Sequence, residues 1–210
     1  MSDIEIRQKQ REVLERIRRR TTSITYSRYA IVLLLDISGS MSGVKIEDAK
    51  KALTHFLKSI NLAENEVGLV AFGERIRKTE LSQDCTHLET KIESFEAGGG
   101  TPMMNAIKTA YEDLLKKRVS PVMVIATDGQ PTDAPEGEIL EYAIPIKKKG
   151  VRIITIGIGK DVNENFLKRL ASSPEDYHFA KASFELKKIY KEVADILALP
   201  GKQTDYLKGV

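Results

Sequence analysis

The feature that most constrains the fold of this 210-residue chain is an alternation of short apolar runs with amphipathic segments. The apolar runs are rich in Val and Ile, which favour strands, and they span 29–35, 67–72, 122–127, 151–158 and, more weakly, 177–180. Three stretches, at 31–35, 122–126 and 153–158, are almost continuously apolar, as is typical of strands buried on both faces of a parallel sheet. We therefore predict a largely parallel central sheet.

Segments of helical periodicity separate these runs. Two long segments repeat apolar residues at i, i+3 and i+4 spacing, namely Ile46, Ala49, Leu53, Phe56, Leu57 and Ile60, and then Met103, Ile107, Ala110, Tyr111, Leu114 and Leu115. Shorter helices are predicted around 139–146, 166–170 and 186–197. Strands alternating with helices predict a doubly wound, Rossmann-like three-layer α/β/α fold with a mostly parallel sheet.

The run at 76–81 follows its predecessor after only three residues, so we predict that it forms an antiparallel edge strand. Residues 28–199 are predicted to form the folded domain. Residues 1–27 are predicted to form a charged helical arm with a polar linker, and residues 200–210 a short tail.

Charge and composition argue against several classes of protein. The chain has 33 Lys and Arg against 30 Asp and Glu, and the excess lies within residues 1–20. The body is therefore neutral and gives no electrostatic argument for binding nucleic acid.

The longest apolar run is far shorter than the roughly 20 residues that span a bilayer. The first twenty residues also lack the apolar centre of a secretion signal. Because Cys85 is the only cysteine, no intramolecular disulfide can form, and we expect a cytoplasmic protein with no membrane partner.

Oxygen-bearing side chains follow the predicted parallel strands, at the edge where open α/β sheets bind ligands. Asp36, Ser38 and Ser40 follow the first strand, Asp128 follows the strand at 122–127, and Thr101 lies in a glycine-rich loop before the second long helix. Mg²⁺ takes six oxygen ligands and usually combines one or two carboxylates with waters. Since two carboxylates at most balance the ion and hydroxyls add no charge, the metal keeps an affinity for one further anionic oxygen. The sequence therefore predicts a Mg²⁺ site that captures a carboxylate, with Mn²⁺ or Ca²⁺ as substitutes.

The stretch Asp36-Ile37-Ser38-Gly39-Ser40 is similar to the Asp-x-Ser-x-Ser motif of von Willebrand factor type A domains, which are also called integrin I-like domains. Gly100-Thr101-Pro102 resembles the threonine loop of this family, and Thr127-Asp128-Gly129 resembles its aspartate turn. The resemblance covers roughly residues 29–197, in element order as well as in motifs. It implies a metal-ion-dependent adhesion site in which Ser38, Ser40 and Thr101 ligate the metal directly, while Asp36 and Asp128 act largely through waters.

The resemblance also implies a binding module and not an enzyme, with an acidic side chain of a partner completing the metal sphere. The chain looks most like the intracellular bacterial or archaeal members of the family. These include proteins associated with tellurite-resistance, chelatase and MoxR-type ATPase systems. We therefore expect an unidentified protein partner that supplies an Asp or Glu, with an AAA+ ATPase or a tellurite-resistance component as candidates.

Some of these residues also have simpler structural interpretations. An Asp at a strand end that is followed by Ser and Gly often organises a turn, so Asp36 alone does not define a metal site. Thr101 before Pro102 is also typical of a helix N-cap. His55, His87 and His178 lie far apart in sequence without an i+4 partner, which makes them poor zinc candidates.

Two other functions stay as alternatives. A metal-dependent phosphohydrolase would use Asp36 as its nucleophile, because haloacid dehalogenase-like phosphatases place an aspartate at the tip of the first strand. Those enzymes carry Asp-x-Asp, and Ser38 removes the second carboxylate that serves as general acid and base. Nucleic-acid binding would use the basic arm, although no recognised nucleic-acid module is visible.

Overall fold

A six-stranded sheet forms the centre of the computed structural model, which describes residues 29–117 and 119–198. The strands are β1 (Tyr29–Asp36), β2 (Glu66–Phe72), β3 (Ile76–Ser82), β4 (Ser120–Thr127), β5 (Arg152–Ile158) and β6 (Tyr177–Ala180). Their order across the sheet is β3-β2-β1-β4-β5-β6. Neighbouring strands are parallel except for the antiparallel β2–β3 pair. The predicted fold class and the antiparallel edge strand are therefore confirmed.

The helices of the described residues are α1 (Val44–Ser59), α2 (Cys85–Glu93), α3 (Met103–Leu114), α4 (Glu136–Lys148), α5 (Glu164–Leu170) and α6 (Leu186–Ala198). The apolar pattern of the sequence did not predict α2. Only Leu88 and Ile92 of this short helix are buried, so its apolar periodicity is weak. Its clearest sequence signal is Asp84, whose carboxylate caps the helix by accepting the His87 backbone N–H at 3.0 Å.

Strand β1 shows why the fold has three layers. All eight of its residues are buried, and successive side chains point to opposite faces. Leu33 and Leu35 pack into the hydrophobic cluster that contains the apolar faces of α1, α2 and α6. Val32 and Leu34 pack into the cluster formed with α3, α4 and α5. A strand that is apolar on both sides requires helices on both faces of the sheet, because either face left uncovered would expose Val and Leu side chains to water.

The register of β1 and β4 sets the position of the polar residues. These two strands are adjacent and parallel, and Leu35 pairs with Ala126. Both strands therefore end side by side, which places Asp36 next to Thr127 and the turn that follows it. Parallel strand ends bring together residues that are about 90 positions apart in the chain.

Residues 1–28, 118 and 199–210 are not among the described residues. The predicted arm and tail lie outside the described part of the chain, and the domain boundaries proposed from sequence stay predictions. Within the described part of the chain, no helix has both the length and the apolar character of a membrane-spanning segment.

Candidate metal centre

Asp36, the last residue of β1, is fully buried and is held on both of its carboxylate oxygens. The Ser38 backbone N–H donates to Oδ1 at 2.8 Å, and the Thr127 hydroxyl donates to Oδ2 at 2.5 Å. Burial raises the pKa of the Asp36 carboxyl, whereas these hydrogen bonds act in the opposite direction. The ionised form of Asp36 is thus stabilised by dipoles alone, and a nearby cation would stabilise it further.

Ser38, Ser40 and Asp128 form a hydrogen-bonded chain beside Asp36. The hydroxyls of Ser38 and Ser40 are 3.0 Å apart, and the Ser40 hydroxyl donates to Asp128 Oδ1 at 2.6 Å. Ser38 and Asp128 are buried, whereas Ser40 is exposed. The accessible member, Ser40, therefore lies between two buried residues and exposes the middle of this hydrogen-bonded chain to solvent.

Thr101 approaches this chain from the loop before α3. A Cβ atom placed on Gly129 would lie 3.6 Å from Thr101 Oγ1 and 4.0 Å from Ser40 Oγ, so the two hydroxyls flank Gly129. The Thr132 hydroxyl fixes the loop by accepting the Thr101 backbone N–H at 2.9 Å. The structure thus brings all five residues singled out from the sequence to the carboxyl edge of β1 and β4.

Thr101 is not the helix cap that its position before Pro102 suggests. Helix α3 begins at Met103, and Pro102 and not Thr101 occupies its N-cap position. The carboxylate of Asp133 instead accepts the backbone N–H groups of Met104 at 3.1 Å and Asn105 at 2.9 Å. Because Asp133 caps the helix, the buried hydroxyl of Thr101 is left for another role.

Backbone contacts between the loops hold the threonine loop against the motif that follows β1. The Gly98 N–H donates to the Ile37 carbonyl at 2.7 Å, and the Gly39 N–H donates to the Gly99 carbonyl at 3.0 Å. Gly99 has φ of +79°, and a Cβ there would lie 2.3 Å from the backbone of Glu74. Only glycine fits at Gly99, because both the conformation and the space exclude a side chain.

Two further residues lie in this site that the sequence did not single out, Thr127 and Lys45. Thr127 was treated only as part of the turn, yet its hydroxyl bonds Asp36 and accepts the Gly129 N–H at 3.2 Å. Lys45 places its ammonium 2.5 Å from Asp128 Oδ2. A signal for Lys45 existed in the sequence, because a lysine in the first turn of a helix opposes the helix dipole and so indicates a nearby anion.

The donor set is suited to a hard divalent cation. It consists of two carboxylates and three hydroxyls, all oxygen, which matches the preference of Mg²⁺ for a few carboxylates together with neutral ligands and waters. Across residues 29–117 and 119–198, no group of three or more His, Cys, Asp or Glu side chains comes together as a metal cage. A divalent cation at this site would be balanced by two carboxylates at most, and its other protein ligands would be neutral hydroxyls.

A doubly wound sheet with such an oxygen cluster at the tips of its two central strands defines a von Willebrand factor type A domain. The sequence matches this family over residues 30–192, and the chain belongs to it. Domains of the family are metal-dependent protein-interaction modules that bind a divalent cation at the metal-ion-dependent adhesion site. This membership confirms the family resemblance predicted from sequence.

Relatives of this chain are longer proteins, of which one segment is similar to it. Inter-alpha-trypsin inhibitor heavy chain H2 of Sus scrofa is 27% identical over 186 residues, which cover 78% of this chain and 20% of that protein. A von Willebrand factor A domain-containing protein of Dictyostelium discoideum is 27% identical over 154 residues, covering 70% of this chain and 17% of that protein. The chain spans about a fifth of the length of these curated relatives.

Solved structures show the same fold. The von Willebrand factor type A structure from Catenulispora acidiphila superposes with a TM-score of 0.73 at 20% identity, covering 82% of this chain and 43% of that one. Proximal thread matrix protein 1 of the mussel byssus, in a structure with a zinc-occupied metal-ion-dependent adhesion site, superposes with a TM-score of 0.72 at 20% identity, covering 83% of this chain and 48% of that one.

Proposed function

We propose that this chain is a protein-binding module that holds Mg²⁺ at the carboxyl edge of β1 and β4 and uses it to capture an Asp or Glu of a partner protein. The observation that carries this proposal is the hydrogen-bonded chain Ser38–Ser40–Asp128 beside the buried Asp36. Ser38, Ser40 and Thr101 would hold the metal directly, and Asp36 and Asp128 would act largely through waters.

The charges at the site favour an acidic partner. Two carboxylates neutralise a divalent cation, and the three hydroxyls add no charge. The ammonium of Lys45, in the first turn of α1, adds one positive charge beside the site whether or not it bonds Asp128. The loaded site therefore carries a net positive charge at the surface. When bound, the cation supplies a Lewis-acidic centre with a position for one external carboxylate oxygen.

Exposed apolar side chains near the site support a protein as the ligand. Val44, at the start of α1 and next to Lys45, is 72% exposed, and Phe184, in the turn after β6, is 71% exposed. The Ser183 hydroxyl donates to Asp48 Oδ2 at 2.6 Å, and Asp48 lies one helical turn after Val44. This contact places Phe184 near the first turns of α1, at the same edge of the sheet as the metal site. An acidic residue with an apolar neighbour would contact both features.

The phosphohydrolase alternative conflicts with the geometry of Asp36. A nucleophile must reach its substrate, whereas Asp36 is fully buried and both of its oxygens accept hydrogen bonds from Ser38 and Thr127. Nucleic-acid binding through the basic arm concerns residues outside the described part of the chain, and it stays a prediction.

The partner class and the compartment are part of the proposal. A MoxR- or chelatase-type AAA+ ATPase, or a tellurite-resistance component, is the candidate partner that the resemblance to intracellular prokaryotic members suggests. The half-buried lone Cys85 suits a reducing cytoplasm.

Direct metal binding is the first test. The chain contains no tryptophan, so electron paramagnetic resonance of free Mn²⁺ is a suitable readout. We expect one Mn²⁺ per chain, displaced by Mg²⁺, and an affinity at least about tenfold weaker in Ser38→Ala, since a direct ligand is lost. The control is Ser59→Ala, because Ser59 is an exposed serine at the end of α1. Absence of Mn²⁺ binding, or equal binding by Ser38→Ala and the wild type, would contradict the proposal.

Partner capture is the second test. The immobilised chain is exposed to lysate of its native host in Mg²⁺ or in EDTA, and the retained proteins are identified by mass spectrometry. We expect a protein retained in Mg²⁺ by the wild type and by Ser59→Ala, but lost in EDTA and with Ser38→Ala. Conversion of the contacting Asp or Glu of that protein to Asn or Gln should then abolish retention. Retention that ignores EDTA would rule out a metal-dependent contact.

A further inference from the structure

Lys45 places a cation inside the candidate metal site. It is the second residue of α1, and its ammonium lies 2.5 Å from Asp128 Oδ2. The Asp128 side chain is 1% exposed and that of Lys45 is 38% exposed, so the pair joins a buried carboxylate to a partly solvated ammonium. The N-terminal end of a helix disfavours positive charge, which means that Asp128 and not the helix holds Lys45 in place.

The two oxygens of Asp128 are both engaged by this chain. Oδ1 accepts the Ser40 hydroxyl at 2.6 Å, and Oδ2 accepts the Lys45 ammonium. Ser40 is one of the residues that would ligate the metal. A divalent cation drawn to Ser40 and Asp128 therefore meets an ammonium on the same carboxylate, within a few ångströms, where like charges repel strongly.

We propose that Lys45 competes with the divalent cation for Asp128 and so keeps the intrinsic metal affinity of the site low. This inference rests on the proposed metal-binding function. In the absence of a divalent cation, the ammonium of Lys45 stabilises the buried Asp128 carboxylate. When a cation binds, it replaces the ammonium as the counter-charge of Asp128. Because the Lys45–Asp128 ion pair must break first, the net free energy of metal binding becomes less favourable.

Competition and a purely structural ion pair lead to different results. If Lys45 only braces the fold, its removal lowers stability in every buffer and leaves metal affinity unchanged or weaker. If Lys45 competes with the metal, its removal lowers stability in EDTA, because a buried carboxylate loses its partner, but it tightens metal binding. The two measurements therefore move in opposite directions only under competition.

The test compares the wild type with Lys45→Gln, Lys45→Arg and Lys51→Gln. Lys51 is an exposed lysine on another face of the same helix and serves as the control for charge. We expect Lys45→Gln to bind Mn²⁺ about tenfold more tightly than the wild type, measured by electron paramagnetic resonance. Lys45→Arg, which keeps the charge, and Lys51→Gln should stay within about twofold of the wild type. In thermal melts, Lys45→Gln should be less stable than the wild type in EDTA, and saturating Mg²⁺ should stabilise it more than the wild type.

Equal or weaker Mn²⁺ binding by Lys45→Gln would overturn the competition while leaving the proposed function intact. Absence of Mn²⁺ binding by the wild type and all variants would overturn both. A crystal structure of the wild type with Mn²⁺ tests the inference without any substitution. Lys45 should then lie beyond hydrogen-bond distance of Asp128, and an ammonium still bonded to Asp128 beside the metal would overturn the proposal.

Discussion

Buried carboxylates at the two ends of the sheet are stabilised in different ways. At the amino ends of β5 and β6, the Asp176 carboxylate accepts hydrogen bonds from Arg152 Nε at 2.9 Å and Nη2 at 2.6 Å. Its other oxygen accepts the Ser173 hydroxyl at 3.0 Å. The Asp176 side chain is only 1% exposed, yet its charge is neutralised by a guanidinium of the same chain.

At the carboxyl ends of β1 and β4, Asp36 is equally buried but has hydroxyl and backbone donors in place of a basic partner. Burial correspondingly raises the pKa of the Asp36 carboxyl. Asp128, the other carboxylate of the candidate site, does have a basic partner in Lys45. The difference from Asp176 therefore lies in Asp36, a buried carboxylate whose hydrogen-bond donors are all neutral and which an external cation would stabilise.

Removal of the built-in counter-charge should give the largest effect. Arg152→Ala leaves the buried Asp176 carboxylate without its guanidinium, and we expect a loss of about 3–5 kcal/mol in the free energy of unfolding. Urea denaturation measures this loss. Lys191→Ala is the control, because the Lys191–Asp195 pair is more than half exposed on both sides and should contribute less than about 1 kcal/mol. A loss in Arg152→Ala no larger than in the control would remove the distinction between the two ends of the sheet.

At the carboxyl end of the sheet, removal of the Asp36 charge should change metal affinity and not stability. Asp36→Asn keeps the shape of the side chain and removes a charge that burial disfavours, so we expect the stability in EDTA to change by less than about 1 kcal/mol. Mn²⁺ affinity should fall about 10- to 100-fold, since a buried anion beside the metal is lost. Electron paramagnetic resonance and urea denaturation of the same samples check both statements. A large loss of stability with unchanged Mn²⁺ affinity would assign Asp36 a structural role.

Substitution of the exposed apolar residues beside the site should weaken partner binding and leave Mn²⁺ affinity unchanged. Val44→Ser and Phe184→Ser each remove exposed apolar surface, and we expect each to weaken capture of the Mg²⁺-dependent partner by roughly 1–2 kcal/mol. Ile144→Ser on α4 is the control, since Ile144 is also exposed, at 50%. Titration of the purified partner measures affinity, with Mn²⁺ binding measured in parallel. Unchanged partner affinity in both variants would restrict the interface to the metal and its immediate ligands.

The smallest effect should come from His178, near the Arg152–Asp176 pair. Burial lowers the pKa of His178, outweighing the opposite influence of Glu192 and Asp176. The folded state therefore binds this proton less readily than the unfolded chain, so the contribution of His178 to stability is present above pH 6.5 and is lost as the pH falls further.

Urea midpoints at pH 7.5 and pH 5.5 in EDTA should accordingly differ less in His178→Gln than in the wild type. His55→Gln serves as the control on a histidine of α1. Titration of Asp36 has the opposite sign, because the pKa of its carboxyl is raised, but it is common to all three proteins and cancels in the comparison. An identical pH dependence in His178→Gln and the wild type would contradict this expectation.

The fold was largely predictable because its signals are local. Continuous apolar runs identified the buried strands, and the three residues between β2 and β3 identified the antiparallel hairpin. Helix α2 escaped prediction because few of its residues are apolar. Its boundaries depend on Asp84, and an Asp that caps a helix is difficult to distinguish from an Asp in any other turn.

The sequence predicted that the oxygen-bearing residues lie together at one edge of the sheet, but it did not predict the hydrogen bonds between them. Their role as metal ligands stays a prediction. Asp36, Ser38 and Ser40 share one motif, and their spacing is visible in the sequence. The bonds from Thr127 to Asp36 and from Lys45 to Asp128 join residues 91 and 83 positions apart. Such contacts exist only once the parallel register of β1 and β4 is set, and the same holds for the capping of α3 by Asp133.

The location of the site at the tips of the two central strands has a mechanical consequence. Strand β1 is hydrogen-bonded along both sides, to β2 and to β4, with its last residues still in register. If a partner binds at Ser38 or Ser40 as proposed, tension on the bound partner would run along β1 and load these two ladders of hydrogen bonds in shear, so that many bonds would have to break together. An attachment point on an edge strand would instead be peeled away one bond at a time.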